Sequence, residues 1–170
     1  GRIVYVGADD AARKYVGRKT RVIDLQGRTL LPGFQDSHLH PGLAPNPDTT
    51  LDLDGLKTRD AIVERIRRFA AAHPHKEWIV GTGWGESAFL PGGQPTRELL
   101  DAAVPDRPAF LTSNSQHMGW ANSRALAKSG VTPVTPDPPN GRIERDAAGR
   151  PTGVLQEAAM DLVRGAISPL

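Results

Sequence analysis

With 170 residues, 38% of them hydrophobic and 24% charged, the chain can build one packed domain but not a closed eight-stranded α/β barrel, which takes about 250 residues. Its formal charge of +2 comes from arginines interleaved with acidic residues, and no basic block of the kind that binds nucleic acid or a membrane surface occurs. The lack of cysteine excludes disulfides, thiolate metal sites and cysteine nucleophiles, and no apolar run approaches the ~20 residues of a membrane span. A soluble, cytoplasmic protein is expected. Because the chain starts at Gly1 and has methionine only at Met118 and Met160, a piece of a longer polypeptide is also expected.

In chain order, "RIVYVG" reads as a β-rich run, "DDAARKYVG" as one helical turn ending at Gly17, and "RVIDLQGRTLLPGF" as two strands turning near Gln26-Gly27. Thr58 is placed to N-cap a helix whose Ile62, Val63, Ile66, Phe69 and Ala70 share one face and which Pro74 stops. "EWIVGTGW" reads as a strand, "PTRELLDAAVP" as a short helix begun by Thr96, and "PAFLTSN" as another strand. Asn122 caps "SRALAKS", which Gly130 terminates. Residues 131–153 read as loop with a small hairpin around Asn140-Gly141. "VLQEAAMDLVRGAI" reads as a strand-to-helix junction or as an amphipathic helix.

The chemistry concentrates in "LLPGFQDSHLHPG". On a strand, Phe34, Asp36, His38 and His40 alternate onto one face, and two imidazoles at i and i+2 can grip one divalent cation. Asp36 is placed to orient His38 or its neighbours. The alternative is a pair of histidines meeting in a surface turn before Pro41. Two donors do not complete a catalytic zinc site, which takes three or more protein ligands.

These residues resemble the opening of the amidohydrolase superfamily, with its Pro-Gly-(two residues)-Asp-x-His-x-His signature at the end of the first barrel strand. "EWIVGTGWGE", "HMGWANSRAL" and "TPDPPNGRIERDAAGRPTGVLQEAAMDLV" extend the likeness to the amidohydrolase 3 branch, the YtcJ-like and N-substituted formamide deformylase-like enzymes. The resemblance implies an α/β chain forming part of a TIM-barrel metal-dependent hydrolase. Residues 1–30 would be strands of a small β-sandwich, 31–42 the first barrel strand, 43–150 an α/β insertion, and 151–170 the start of the continuing barrel.

It further implies His38 and His40 as metal ligands, with Glu157 of "PTGVLQE" in the place of a bridging carboxylate. Read without the resemblance, Glu157 is an ordinary glutamate in the first turn of a helix. His117 matches a histidine that the branch presents after glycine, near the substrate; here Gln116 stands in place of that glycine, and His117 can equally be a satisfied, partly buried histidine. Trp84 is a candidate to line the pocket or to pack, Glu86 reads as a solvated residue, and His73 and His75 read as surface residues.

The implied cofactor is one or two divalent ions, zinc in the first place. The implied partner is a small amide-type substrate, with neither nucleic acid nor membrane involved and self-association left open. The implied reaction is hydrolysis of a non-peptide carbon–nitrogen bond by a metal-activated water, with a general-base aspartate expected beyond residue 170 and the chain alone inactive. A non-catalytic binding module and a cyclic amidase of the same superfamily are the competing readings. The insertion between His40 and Glu157 speaks against the latter.

Overall fold

The computed structural model of the chain describes residues 2–33, 35, 50–91 and 93–167. The chain divides into two compact units, Gly1–His40 and Pro41–Leu170.

In the first unit the expected helical turn is present as α1 (Asp9–Ala12), continued by a 3-10 turn over Arg13–Tyr15. Tyr5 and Tyr15 stack with ring centroids 5.3 Å apart. The turn at Gln26-Gly27 also forms, with both residues left-handed and the Gln26 N–H donating to Asp24 Oδ1 at 2.8 Å. The β-sandwich strands expected over residues 1–30 do not form among the described residues. A strand exists only through a partner's hydrogen bonds. The backbone bonds here are local turns, and Ile3, Val4, Val22, Ile23, Leu30 and Leu31 stand exposed.

The second unit is built on a six-stranded mixed sheet. Its strands are β1 (Leu51–Asp52), β2 (Ile79–Trp84), β3 (Ala109–Ser113), β4 (Met118–Ala121), β5 (Gly141–Arg145) and β6 (Pro151–Glu157). They lie in the order β1-β2-β3-β4-β6-β5, with β1, β2 and β3 parallel to one another and the remaining pairs antiparallel. The helices are α2 (Arg59–Ala72), α3 (Arg97–Ala103), α4 (Ser123–Lys128) and α5 (Met160–Arg164). As expected, Thr58 Oγ1 accepts from the Ala61 N–H at 3.3 Å, and Ile62, Ile66 and Ala70 are the buried positions of α2.

Strand alternation sends successive side chains to opposite faces. Leu111, Trp120 and Val154 join the core under α2 and α3, together with Ile62, Ile66 and Leu100. Phe110, Ala121 and Leu155 join a second core with Ala125 and Leu126 of α4 and Met160 and Val163 of α5. The segment before α4, for which the sequence pattern predicts no element, is β4, which is buried throughout and paired on both sides. Residues 131–153 hold β5 and the start of β6, and their hairpin turns at Asp146–Gly149 rather than at Asn140-Gly141; Asp146 Oδ1 accepts from the Ala148 and Arg150 N–H groups, both at 2.9 Å. β6 is bonded to β4 on one side and β5 on the other, so residues 151–157 lie in the same sheet as the strands before them.

Asn122 ties this fold together. Its side chain is fully buried: Oδ1 accepts from the Ala125 N–H (2.9 Å), as the N-cap of α4, and from the Ala109 N–H (3.0 Å) at the start of β3. Nδ2 donates to the carbonyls of Val104 (3.1 Å) and Arg107 (2.9 Å). Asn122→Ala strands four backbone groups, three of them in buried bonds, and is expected to cost about 3 kcal/mol or more in urea unfolding. Asn122→Asp, which keeps the acceptors but turns a carboxylate toward two carbonyls, is expected to be similarly damaging.

Asp137 fastens the Pro-rich segment to β5, accepting from Arg145 Nη1 at 2.8 Å and from the Ile143 N–H at 3.1 Å. The Arg145 guanidinium and then the Ile143 N–H hold its carboxyl below the ordinary value. A depressed folded-state value means that the stabilisation is complete above about pH 4 and is lost as pH falls through that value. The melting-temperature gap between wild type and Asp137→Asn is therefore expected to be widest at neutral pH and to close with acidification below about pH 4.

Candidate functional site

β4 and β6 run antiparallel with Met118 opposite Gln156, so the next pair outward is His117 and Glu157. The Glu157 N–H donates to the His117 carbonyl at 3.0 Å. On the side-chain level, His117 Nδ1 lies 2.9 Å from Glu157 Oε1, and both side chains are open to solvent, 69% and 56% exposed. Two residues singled out from separate parts of the sequence thus meet as a cross-strand pair. The encounter depends on β4, the strand that periodicity did not reveal.

The local backbone is unusual on both sides of this pair. Gln116 (φ 66°) and Glu157 (φ 49°) are left-handed, a conformation that costs a non-glycine residue about 1 kcal/mol or more. Gln116 adopts the conformation a glycine would take there without strain. Its Nε2 donates to Thr82 Oγ1 at 3.1 Å and to the Ser113 carbonyl at 3.3 Å, while its N–H donates to the same carbonyl at 3.1 Å. Upstream, Gly153 (φ 104°) lets β6 pass close to its neighbours, since a Cβ there would lie 2.5 Å from the Ala121 carbonyl oxygen.

Glu157 is the last residue of β6 and not part of the first turn of α5, which begins at Met160. Trp84 is fully buried. Its Nε1 donates to the Leu111 carbonyl at 3.0 Å, and its ring meets those of Phe89 and Trp120 edge-on at 5.8 and 6.2 Å. Among the described residues it packs as core and offers no surface to a ligand. Glu86 is exposed, as expected, in a 3-10 turn over Glu86–Phe89. His75 is exposed, whereas His73 is half-buried, stacked on Phe69 with its Nδ1 2.9 Å from the Phe69 carbonyl oxygen. Asp36, His38 and His40 lie outside the described residues.

Among the described residues no three His, Asp or Glu side chains gather into a metal-binding group. What is present is a carboxylate with an imidazole beside it at an exposed strand end, a donor chemistry that suits a divalent cation of the zinc type. Gln116 and Thr82 escaped the sequence reading as partners; the glutamine in place of a glycine was the available signal.

The amidohydrolase family profile matches residues 21–170. The chain belongs to the amidohydrolase family. It is 38% identical to the N-substituted formamide deformylase of Arthrobacter pascens over 98% of its own length and 31% of that protein's. It is 38% identical to the YtcJ protein of Bacillus subtilis (strain 168) over 92% of its length and 30% of that protein's. The exoenzymes regulatory protein AepA of Pectobacterium carotovorum is 37% identical over 94% of this chain and 36% of its own. The chain thus spans about a third of the length of these relatives. Among solved structures, an uncharacterized metal-dependent hydrolase from Pyrococcus horikoshii superposes with a TM-score of 0.51 at 26% identity, covering 70% of this chain and 20% of that one. No helix among the described residues is long and apolar enough to cross a membrane.

The left-handed glutamate yields a stability test. Glu157→Gly removes the steric cost at φ 49° and forfeits only an exposed side-chain contact with His117. It is expected to leave stability unchanged or raise it by about 0.5–1 kcal/mol in urea denaturation, which few substitutions of a buried strand's terminal residue would do.

Proposed function

We propose that this chain carries part of the metal centre of a hydrolase that cleaves a non-peptide carbon–nitrogen bond in a small amide or formamide. The observation that carries the reading is the cross-strand pair: Glu157, which the family resemblance puts in the place of a bridging carboxylate, stands with its carboxylate 2.9 Å from the His117 ring and open to solvent. Family membership and the likeness to a metal-dependent hydrolase support it.

In this reading His38, His40 and Glu157 hold the ion, zinc as one or two atoms, with Asp36 orienting the histidines. A divalent ion so bound supplies Lewis-acid polarisation of the substrate carbonyl and a nucleophile at neutral pH. The chain's own residues supply the anchoring: β6 presents the carboxylate, β4 presents His117 on its substrate side, and the aromatic core containing Trp84 stiffens the sheet behind both. The histidine segment forms the tip of the first strand of a TIM barrel in this proposal, and the general base and remaining ligands come from outside residues 1–170. These residues alone are proposed to be inactive. A cytoplasmic setting suits a cysteine-free chain.

The test is elemental analysis of the protein expressed from its complete reading frame. Wild type is expected to retain at least one equivalent of divalent metal through gel filtration, and His38→Ala and Glu157→Ala to lose most of it. Unchanged metal content in both variants would remove the ligand assignment and the hydrolase reading with it.

A further inference from the structure

We infer that Gln116 and Thr82 form a side-chain clip that positions His117 and, through it, the metal-binding carboxylate of Glu157, an inference that rests on Glu157 being a ligand. Gln116 precedes His117 directly and has a left-handed backbone at φ 66°, which a glutamine keeps only when something holds it there. Two bonds from one amide group do so. Nε2 donates to Thr82 Oγ1 on β2 (3.1 Å) and to the Ser113 carbonyl at the end of β3 (3.3 Å). Thr82 and Gln116 are both half-buried, whereas His117 next along the chain is exposed, so the anchor lies inside the sheet end and the functional group outside it.

The turn between β3 and β4 is braced a second time. Ser113 Oγ lies 2.9 Å from Ser115 Oγ and accepts the Met118 N–H at 3.2 Å. The consequence is transmitted by one backbone bond, from the Glu157 N–H to the His117 carbonyl at 3.0 Å. Residue 116 fixes the direction of residue 117, and residue 117 fixes the end of β6, where Glu157 itself is left-handed at φ 49°. Gln116 touches neither the reacting atoms nor the ion in this arrangement; it is a positioning residue. A glycine at 116 would permit the same backbone but also many others, and the glutamine selects one through β2.

The experiment compares Gln116→Met, Thr82→Val, their double variant and Glu157→Ala in the protein expressed from its complete reading frame. Affinity for Zn2+ is measured by competition with a chelator, and the visible spectrum of the Co2+-loaded protein reports ligand geometry independently of turnover. Gln116→Met and Thr82→Val are expected to weaken Zn2+ binding, by about 10-fold for the former, and to shift the Co2+ bands. The double variant is expected to be no worse than Gln116→Met, because both substitutions remove the same bond. Should Glu157→Ala release the metal while Gln116→Met and Thr82→Val leave both affinity and spectrum unaltered, the clip is overturned and the ligand assignment stands. Multiplying effects in the double variant overturn the clip as well. Full Zn2+ affinity in Glu157→Ala overturns the ligand assignment and the clip together.

Discussion

The 3.0 Å hydrogen bond from the Glu157 N–H to the His117 carbonyl closes the β4–β6 ladder, and the geometry of the candidate site follows from it. A shift of one residue in that register would turn every β6 side chain to the opposite face and exchange Val154 and Leu155 between the two cores. Because one face is packed by α2 and α3 and the other by α4 and α5, such a slip is penalised on both sides of the sheet. The register of an exposed pair is thereby fixed by buried residues remote from it. This is how a solvent-facing carboxylate and imidazole can be held at contact distance without a dense network of their own.

The sheet combines two regimes. β1, β2 and β3 are parallel and linked through helices, while β3, β4, β6 and β5 alternate in direction. Asn122 sits at the changeover and satisfies the backbone of β3, the α3–β3 connection and α4 at once. A single buried amide therefore does the work that three separate caps do elsewhere, and it joins the helical layer to the strand that directly follows His117.

Much of this was readable from the residues. The spacing of Ile62, Ile66 and Ala70, and the capping chemistry of Thr58 and Asn122, announce helices because those signals are local. β4 was hidden for a physical reason: "MGWA" is buried on both faces, so it lacks the apolar–polar alternation that marks a half-exposed strand, and only four residues long it offers no length signal. The hairpin was misplaced because Asn140-Gly141 carries the stronger turn signature, yet that turn serves to enter β5, with the Gly141 N–H donating to the Pro138 carbonyl at 3.0 Å. Glu157 and His117 were legible as candidates through the family likeness. That they touch was not, since contact across β4 and β6 is a property of non-local pairing. The first unit shows the opposite error: its β-prone composition predicts strands, but composition does not supply a hydrogen-bonding partner.

The hairpin between β5 and β6 lies at the far end of the strand that terminates in Glu157. Six residue steps along β6 at about 3.3 Å each place Pro151 about 20 Å from Glu157, so Ala147 and Ala148 stand farther still, exposed at a polar turn held by the Asp146 side chain. That tip is a natural handle: a fluorophore, an affinity peptide or a surface tether attached there would leave both cores and the sheet end undisturbed.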